Sequence, residues 1–145
     1  MLNNWIIKIF KIIFRFLGRT SYHFRNLILD FDIFDNQVLI SCFSDGLDVL
    51  SLTKDSNGNI KLFSSKGDKT SRSCISCLWL GPDKFVATDR RKTVHLCRID
   101  ESTRWIETIK SLSIKEVIIK IFIIDAKVHG ETISGSIIDI SKELE

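Results

Sequence analysis

From residue 26 onward, short runs rich in apolar and β-branched residues, some of them alternating with polar ones, recur at 26–32, 38–43, 47–52, 60–64, 74–80, 84–88, 93–99, 105–112, 117–124 and 136–140. Successive side chains leave an extended chain on opposite faces, so a period of two marks a half-buried strand. Between the runs stand Asp35-Asn36, Asp45-Gly46, Asn57-Gly58, Gly81-Pro82-Asp83 and Asp89-Arg90-Arg91-Lys92, residue types that turn a chain. Asn57-Gly58 is the clearest of them and predicts a type I′ hairpin, which needs positive φ at both central residues. The spacing predicts ten or eleven strands in antiparallel meanders. A sandwich, a barrel or four-stranded propeller blades would each accommodate them.

The first 25 residues follow a different rhythm. Polar positions fall at 4, 8, 11, 15 and 19 in an otherwise apolar stretch. That is helical spacing, a narrow basic stripe on a wide apolar face. Such a helix fits an anionic membrane surface or a mitochondrial presequence. It is too interrupted by cations to span a bilayer, which takes roughly 18 or more residues with few charges. The alternative is strand or core material, since Ile and Phe dominate the segment and prefer strands.

Composition sharpens the fold and says little of function. The 145 residues make one domain or part of one. With 23 Ile and 10 Phe against 2 Ala and 1 Pro, the chain leans towards β structure. Five cations (Lys8, Lys11, Arg15, Arg19, Arg25) precede the first acid, so the remainder carries a small net negative charge. A uniformly basic nucleic-acid-binding surface is thereby excluded from the body, and any such contact is local. The densest basic group there is Lys84, Arg90, Arg91, Lys92 and Arg98, with a solvated turn as the plainer reading.

Catalytic and metal chemistry find little purchase. Cys74 and Cys77 form a Cys-x-x-Cys, but no second ligand pair lies at zinc spacing, and His23, His95 and His129 are isolated from one another. On a strand, positions three apart face opposite ways. The four cysteines (42, 74, 77, 97) therefore read as reduced, small buried hydrophobes. Lys66-Gly67-Asp68-Lys69 lacks the Gly-Lys-Ser/Thr of a phosphate loop and reads as a solvated connection. No paired carboxylates and no nucleophile beside a base stand out, so neither an enzyme, a cofactor nor a small-molecule substrate is expected.

Four stretches together carry a resemblance. They are Asp35-Asn36-Gln37-Val38-Leu39-Ile40, then Asp45-Gly46-Leu47, then Arg72-Ser73-Cys74-Ile75-Ser76-Cys77-Leu78-Trp79-Leu80, and Val86-Ala87-Thr88-Asp89-Arg90-Arg91-Lys92-Thr93-Val94. In order and spacing they resemble a blade of the cleavage and polyadenylation specificity factor A subunit family, whose relatives include the large subunit of the damaged-DNA-binding protein. Arg72, Trp79 and Asp89 would be the blade motif, with Gly58 in the preceding hairpin. The resemblance covers residues 33–99, with a weaker tail to 140. Lys92 stands where the family usually has glycine, which puts positive φ on a side-chain-bearing residue or demands another turn.

The resemblance implies an all-β fold: an incomplete β-propeller of blade-like meanders over residues 26–145, preceded by the segment 1–25. It implies a nuclear, non-enzymatic scaffold that joins protein complexes on RNA or DNA, in RNA 3′-end processing, splicing or repair. At about 40–45 residues per blade the chain makes roughly three, fewer than the four to eight that close a propeller. Its edges would then need a partner. The competing class is a membrane-associated or organellar protein anchored by residues 4–19.

Overall fold

The computed structural model describes residues 28–42, 46–63, 65–67 and 73–145, so the N-terminal segment and Arg72 lie outside the described residues. Twelve strands and one helical turn are described, and the strands form three sheets. The first sheet is an antiparallel meander of β1 (Ile28–Phe34), β2 (Gln37–Cys42), β3 (Gly46–Lys54) and β4 (Ile60–Phe63). The middle sheet is a second meander of β6 (Cys74–Trp79), β7 (Lys84–Asp89), β8 (Thr93–Ile99) and β9 (Trp105–Ser113). The two-residue β5 (Lys66–Gly67) runs parallel to the start of β9. The last sheet has three strands, β10 (Ile118–Ile124), β11 (Lys127–Thr132) and β12 (Ile137–Asp139), followed by α1 (Ser141–Leu144). The all-β, antiparallel expectation holds. Among the described residues no helix is long and apolar enough to cross a membrane.

The sheets stack face to face with the middle one between its neighbours. Leu39, Leu47 and Val49 of the first sheet meet Cys77, Trp79, Phe85, Ala87, Cys97, Ile99 and Ile106 of the middle sheet in one core. Val86, Val94 and Leu96 on its opposite face meet Ile118, Ile121 and Val128 of the last sheet, with Ile140 and Leu144, in a second. Strands β7 and β8 are consequently buried on both faces along most of their length. Phe85 is fully buried and meets Trp79 edge to face at 5.4 Å, a favourable aromatic geometry.

Local geometry corrects the sequence reading at three places. A register shift between Cys74 and Ser76 puts a β-bulge in β6, so Cys74 and Cys77 join the same core instead of facing opposite ways. Both are free thiols, as is Cys97, and burial raises the Cys77 thiol well above its usual range. The Asn57-Gly58 loop is not type I′, because only Gly58 (φ 81°) of its central residues has positive φ. Asp55 organises that loop instead: its carbonyl accepts Gly58 N–H at 3.0 Å, and its Oδ1 accepts those of Asn57 at 2.9 Å and Asn59 at 2.8 Å. Type I′ signs appear at Asp125 (φ 49°) and Ala126 (φ 60°), which join β10 to β11 without glycine.

Candidate functional site

The basic group read from the sequence divides between the two ends of one hairpin. Lys84 pairs with Arg98 where β7 begins and β8 ends. Arg90, Arg91 and Lys92 form the exposed turn at the other end, some 20 Å away at about 3.3 Å per residue. At the first end Arg98 donates to Glu107 Oε2 at 3.1 Å. Asp83, Asp100, Glu101 and Glu107 surround a surface groove there of about 720 Å³, floored in part by the exposed Trp105. Bonds from the Ser102 hydroxyl and from Thr103 hold Asp100 down at about 2. That end is thus acidic, and an anion would meet repulsion.

The opposite turn is held in a fixed shape. Asp89, almost fully buried, accepts the N–H groups of Arg91 at 2.8 Å and Thr93 at 3.1 Å on Oδ1. Lys92 takes φ 60° and its carbonyl accepts Ile114 N–H at 2.9 Å. Positive φ on a side-chain-bearing residue is therefore present at Lys92, offset by three backbone bonds. Ser73 C=O accepts Arg90 N–H at 3.2 Å, tying the turn to the start of β6. Three consecutive cations project from this rigid loop.

Trp79 and Gly58 serve the fold. Trp79 Nε1 donates to Asp32 C=O at 3.2 Å, and its N–H donates to Asp32 Oδ2 at 2.7 Å, so it fastens β6 to β1. Gly58 supplies the positive φ of the β3–β4 loop. Asp89 does more than cap the turn, because its Oδ2 lies 2.8 Å from His95 Nε2 and His95 Nδ1 lies 2.9 Å from Ser111 Oγ. The sequence reading assigns His95 no partner among the other histidines and does not anticipate this pair of contacts. Its partners are six and sixteen residues away and meet only when β7, β8 and β9 align.

A polar junction joins all three sheets, and it too was missed. Asp30 Oδ2 accepts Ser76 Oγ at 2.6 Å and Cys77 N–H at 3.2 Å, while Asp30 Oδ1 accepts Lys120 Nζ at 2.8 Å. Ser76 Oγ in turn accepts Ile121 N–H at 2.9 Å. One carboxylate from β1 thereby reaches β6 and β10 together. Asp32, two residues on and on the same face, is partly buried, and that burial raises its carboxyl above the usual range. The signal in the sequence was Asp30 and Asp32 alternating within an apolar run, which marks polar groups aimed at a core.

Among the described residues no group of three or more His, Cys, Asp or Glu is placed to hold a metal ion. No family model matches the chain, and no curated protein matches it at a significant level.

Proposed function

We propose that the chain is a non-enzymatic interaction scaffold made of propeller-like blades, related to the cleavage and polyadenylation specificity factor A subunit family, that docks in a nuclear protein complex on RNA or DNA. What supports the blade reading is the repetition of one unit: three successive meanders in which the first strands, β1, β6 and β10, adjoin one another through Asp30, Ser76 and Lys120. What supports the nucleic-acid reading is the turn of Arg90, Arg91 and Lys92, exposed and fixed by Asp89. Three adjacent cations on a rigid loop meet phosphates with little ordering cost, whereas Lys84 and Arg98 sit beside four carboxylates.

The test is fluorescence anisotropy with single-stranded RNA and with duplex DNA over a salt series. Arg90→Ala/Arg91→Ala/Lys92→Ala is expected to reduce the slope of log affinity against log salt by about 2–3, since each phosphate contact contributes about 0.7–0.9. Lys84→Ala/Arg98→Ala should leave that slope unchanged. No measurable binding to either nucleic acid, or equal losses from both variants, would sink the reading.

A further inference from the structure

Ser111 carries an arrangement that a scaffold does not need. It is exposed on β9, the last strand of the middle meander, which among the described residues pairs with β5 only at Trp105 and Ile106. Asp89 Oδ2 and His95 Nε2 are 2.8 Å apart, and Asp89 offers only acceptor oxygens as a carboxylate. In the neutral ring the proton sits on Nε2, facing that carboxylate, and Nδ1 is left as an acceptor. Ser111 Oγ, 2.9 Å from Nδ1, must then be the donor of that bond. In that tautomer the hydroxyl of an exposed serine donates to a base that a buried carboxylate orients.

Backbone alternation adds a second feature. Ile114 N–H bonds to Lys92 C=O across the β8–β9 pair, and Thr93↔Ser113 and His95↔Ser111 follow in register. In an antiparallel pair, bonded and non-bonded positions alternate, so the Ser111 N–H points away from β8, towards an edge of β9 that no described strand pairs with at this position. A developing oxyanion on a group attacked by Ser111 Oγ has that N–H within the same residue's reach.

We propose that Ser111 is a covalent acyl-acceptor site, with His95 as its base and Asp89 as the group that orients His95, and that it takes one acyl group from an activated ester or thioester. In that step Ser111 Oγ bonds to the acyl carbon and its proton passes to His95 Nδ1. The bond from the acyl carbon to the leaving oxygen or sulfur breaks, and the proton moves from Nδ1 to that leaving group. The products are acyl-Ser111 and a free alcohol or thiol, with no change of oxidation state.

The experiment treats the purified full chain with p-nitrophenyl acetate and maps acetylation by peptide mass spectrometry. Ser113 is the internal control, exposed on the same strand and the same face two residues on, and paired with Thr93 instead of a histidine. Ser111 is expected to acetylate about a hundredfold faster than Ser113, the lower end of what a positioned base contributes. His95→Gln should bring Ser111 down to the Ser113 rate. Equal labelling of Ser111 and Ser113 in the unaltered chain, or acetylation confined to lysines, overturns the proposal. Because that comparison lies within one unaltered chain, misfolding of the His95 variant does not affect it.

Discussion

The middle and last sheets are built from similar material and end in opposite conditions. β10 reads Ile-Ile-Lys-Ile-Phe-Ile-Ile, more apolar than the Lys-Phe-Val-Ala-Thr-Asp of β7. Yet β7 is buried from Phe85 to Asp89, while Ile119, Ile123 and Ile124 of β10 are 41%, 51% and 47% exposed. Position in the stack decides this. The middle sheet has a neighbour on each face, so even Thr88, Asp89 and His95 are enclosed. Among the described residues the last sheet has a neighbour on one face, so β11 alternates between buried and more exposed positions and β10, which carries a register shift, buries only Ile118 and Ile121. Hydrophobicity sets how strongly a strand seeks cover, and the architecture sets whether cover exists.

Truncation gives the widest contrast between the two. Phe85→Ala should cost about 3–5 kcal/mol, because it opens a cavity beside Trp79 with the first sheet packed over it. Ile123→Ala, half exposed, should cost less than about 1 kcal/mol. Chemical denaturation monitored by tryptophan fluorescence checks both, and similar losses would deny that the sheets differ in cover.

Glycine substitution makes the next contrast. A Cβ on Gly130 of β11 would lie 2.8 Å from Ile118 Cδ1 and 2.9 Å from its Cγ2, whereas one on Gly81 meets nothing within 4 Å. Gly130→Ala should therefore cost about 1–3 kcal/mol by displacing a fully buried Ile118. Gly81→Ala should stay within about 0.5 kcal/mol of the parent. A neutral Gly130 variant would mean that the last sheet repacks freely.

The junction gives a smaller effect with a direction. Asp30→Ala strips a bond from Ser76, one from Cys77 N–H and the partner of Lys120, and should cost about 1–2 kcal/mol. Lys120→Ala removes only the half-exposed end of that ion pair and should cost at most about 0.5 kcal/mol. Equal costs would mean that the carboxylate does not join the sheets.

Two carboxyls should titrate in opposite senses, the smallest and most local effect. Burial raises Asp32 above 3.8 in the folded chain, so the folded state binds the proton more tightly and this group's contribution to stability falls as pH rises through that region. Asp100 is lowered to about 2 by Ser102 and Thr103, so its contribution is present above 3.8 and is lost as pH falls towards 2. Carboxyl carbon NMR titration should place Asp32 above 3.8 and Asp100 near 2. The reverse order would remove the burial assigned to the first–middle junction.

Much of this architecture was legible along the chain, since short apolar runs between turn residues located most of the strands to within one or two residues at their ends. β11 escaped because Lys-Val-His-Gly-Glu-Thr has little alternation, and the turn before it is Asp125-Ala126, which carries no glycine or asparagine signal. The β6 bulge escaped because one extra residue leaves no mark in composition, yet it moves Cys74 to the same core as Cys77. The basic group looked like one cluster because Lys84 and Arg98 flank the turn in sequence, although a hairpin sends its stem and its turn to opposite ends. Asp89, His95 and Ser111 share no local motif. Their meeting depends on the register of three strands, which is set by the whole sheet.

The central claim is that, among the described residues, the middle sheet is clamped between two neighbours and the last sheet is covered on one side. Native-state hydrogen exchange of the full chain, read amide by amide by NMR, tests it most directly. The amides of β7 and β8 should exchange slowest, with those of β10 and β12 at least about tenfold faster, because opening the last sheet exposes less apolar surface than opening the middle one. Protection of β10 and β12 equal to or above that of β7 and β8 would contradict the stacking order and the reading built on it.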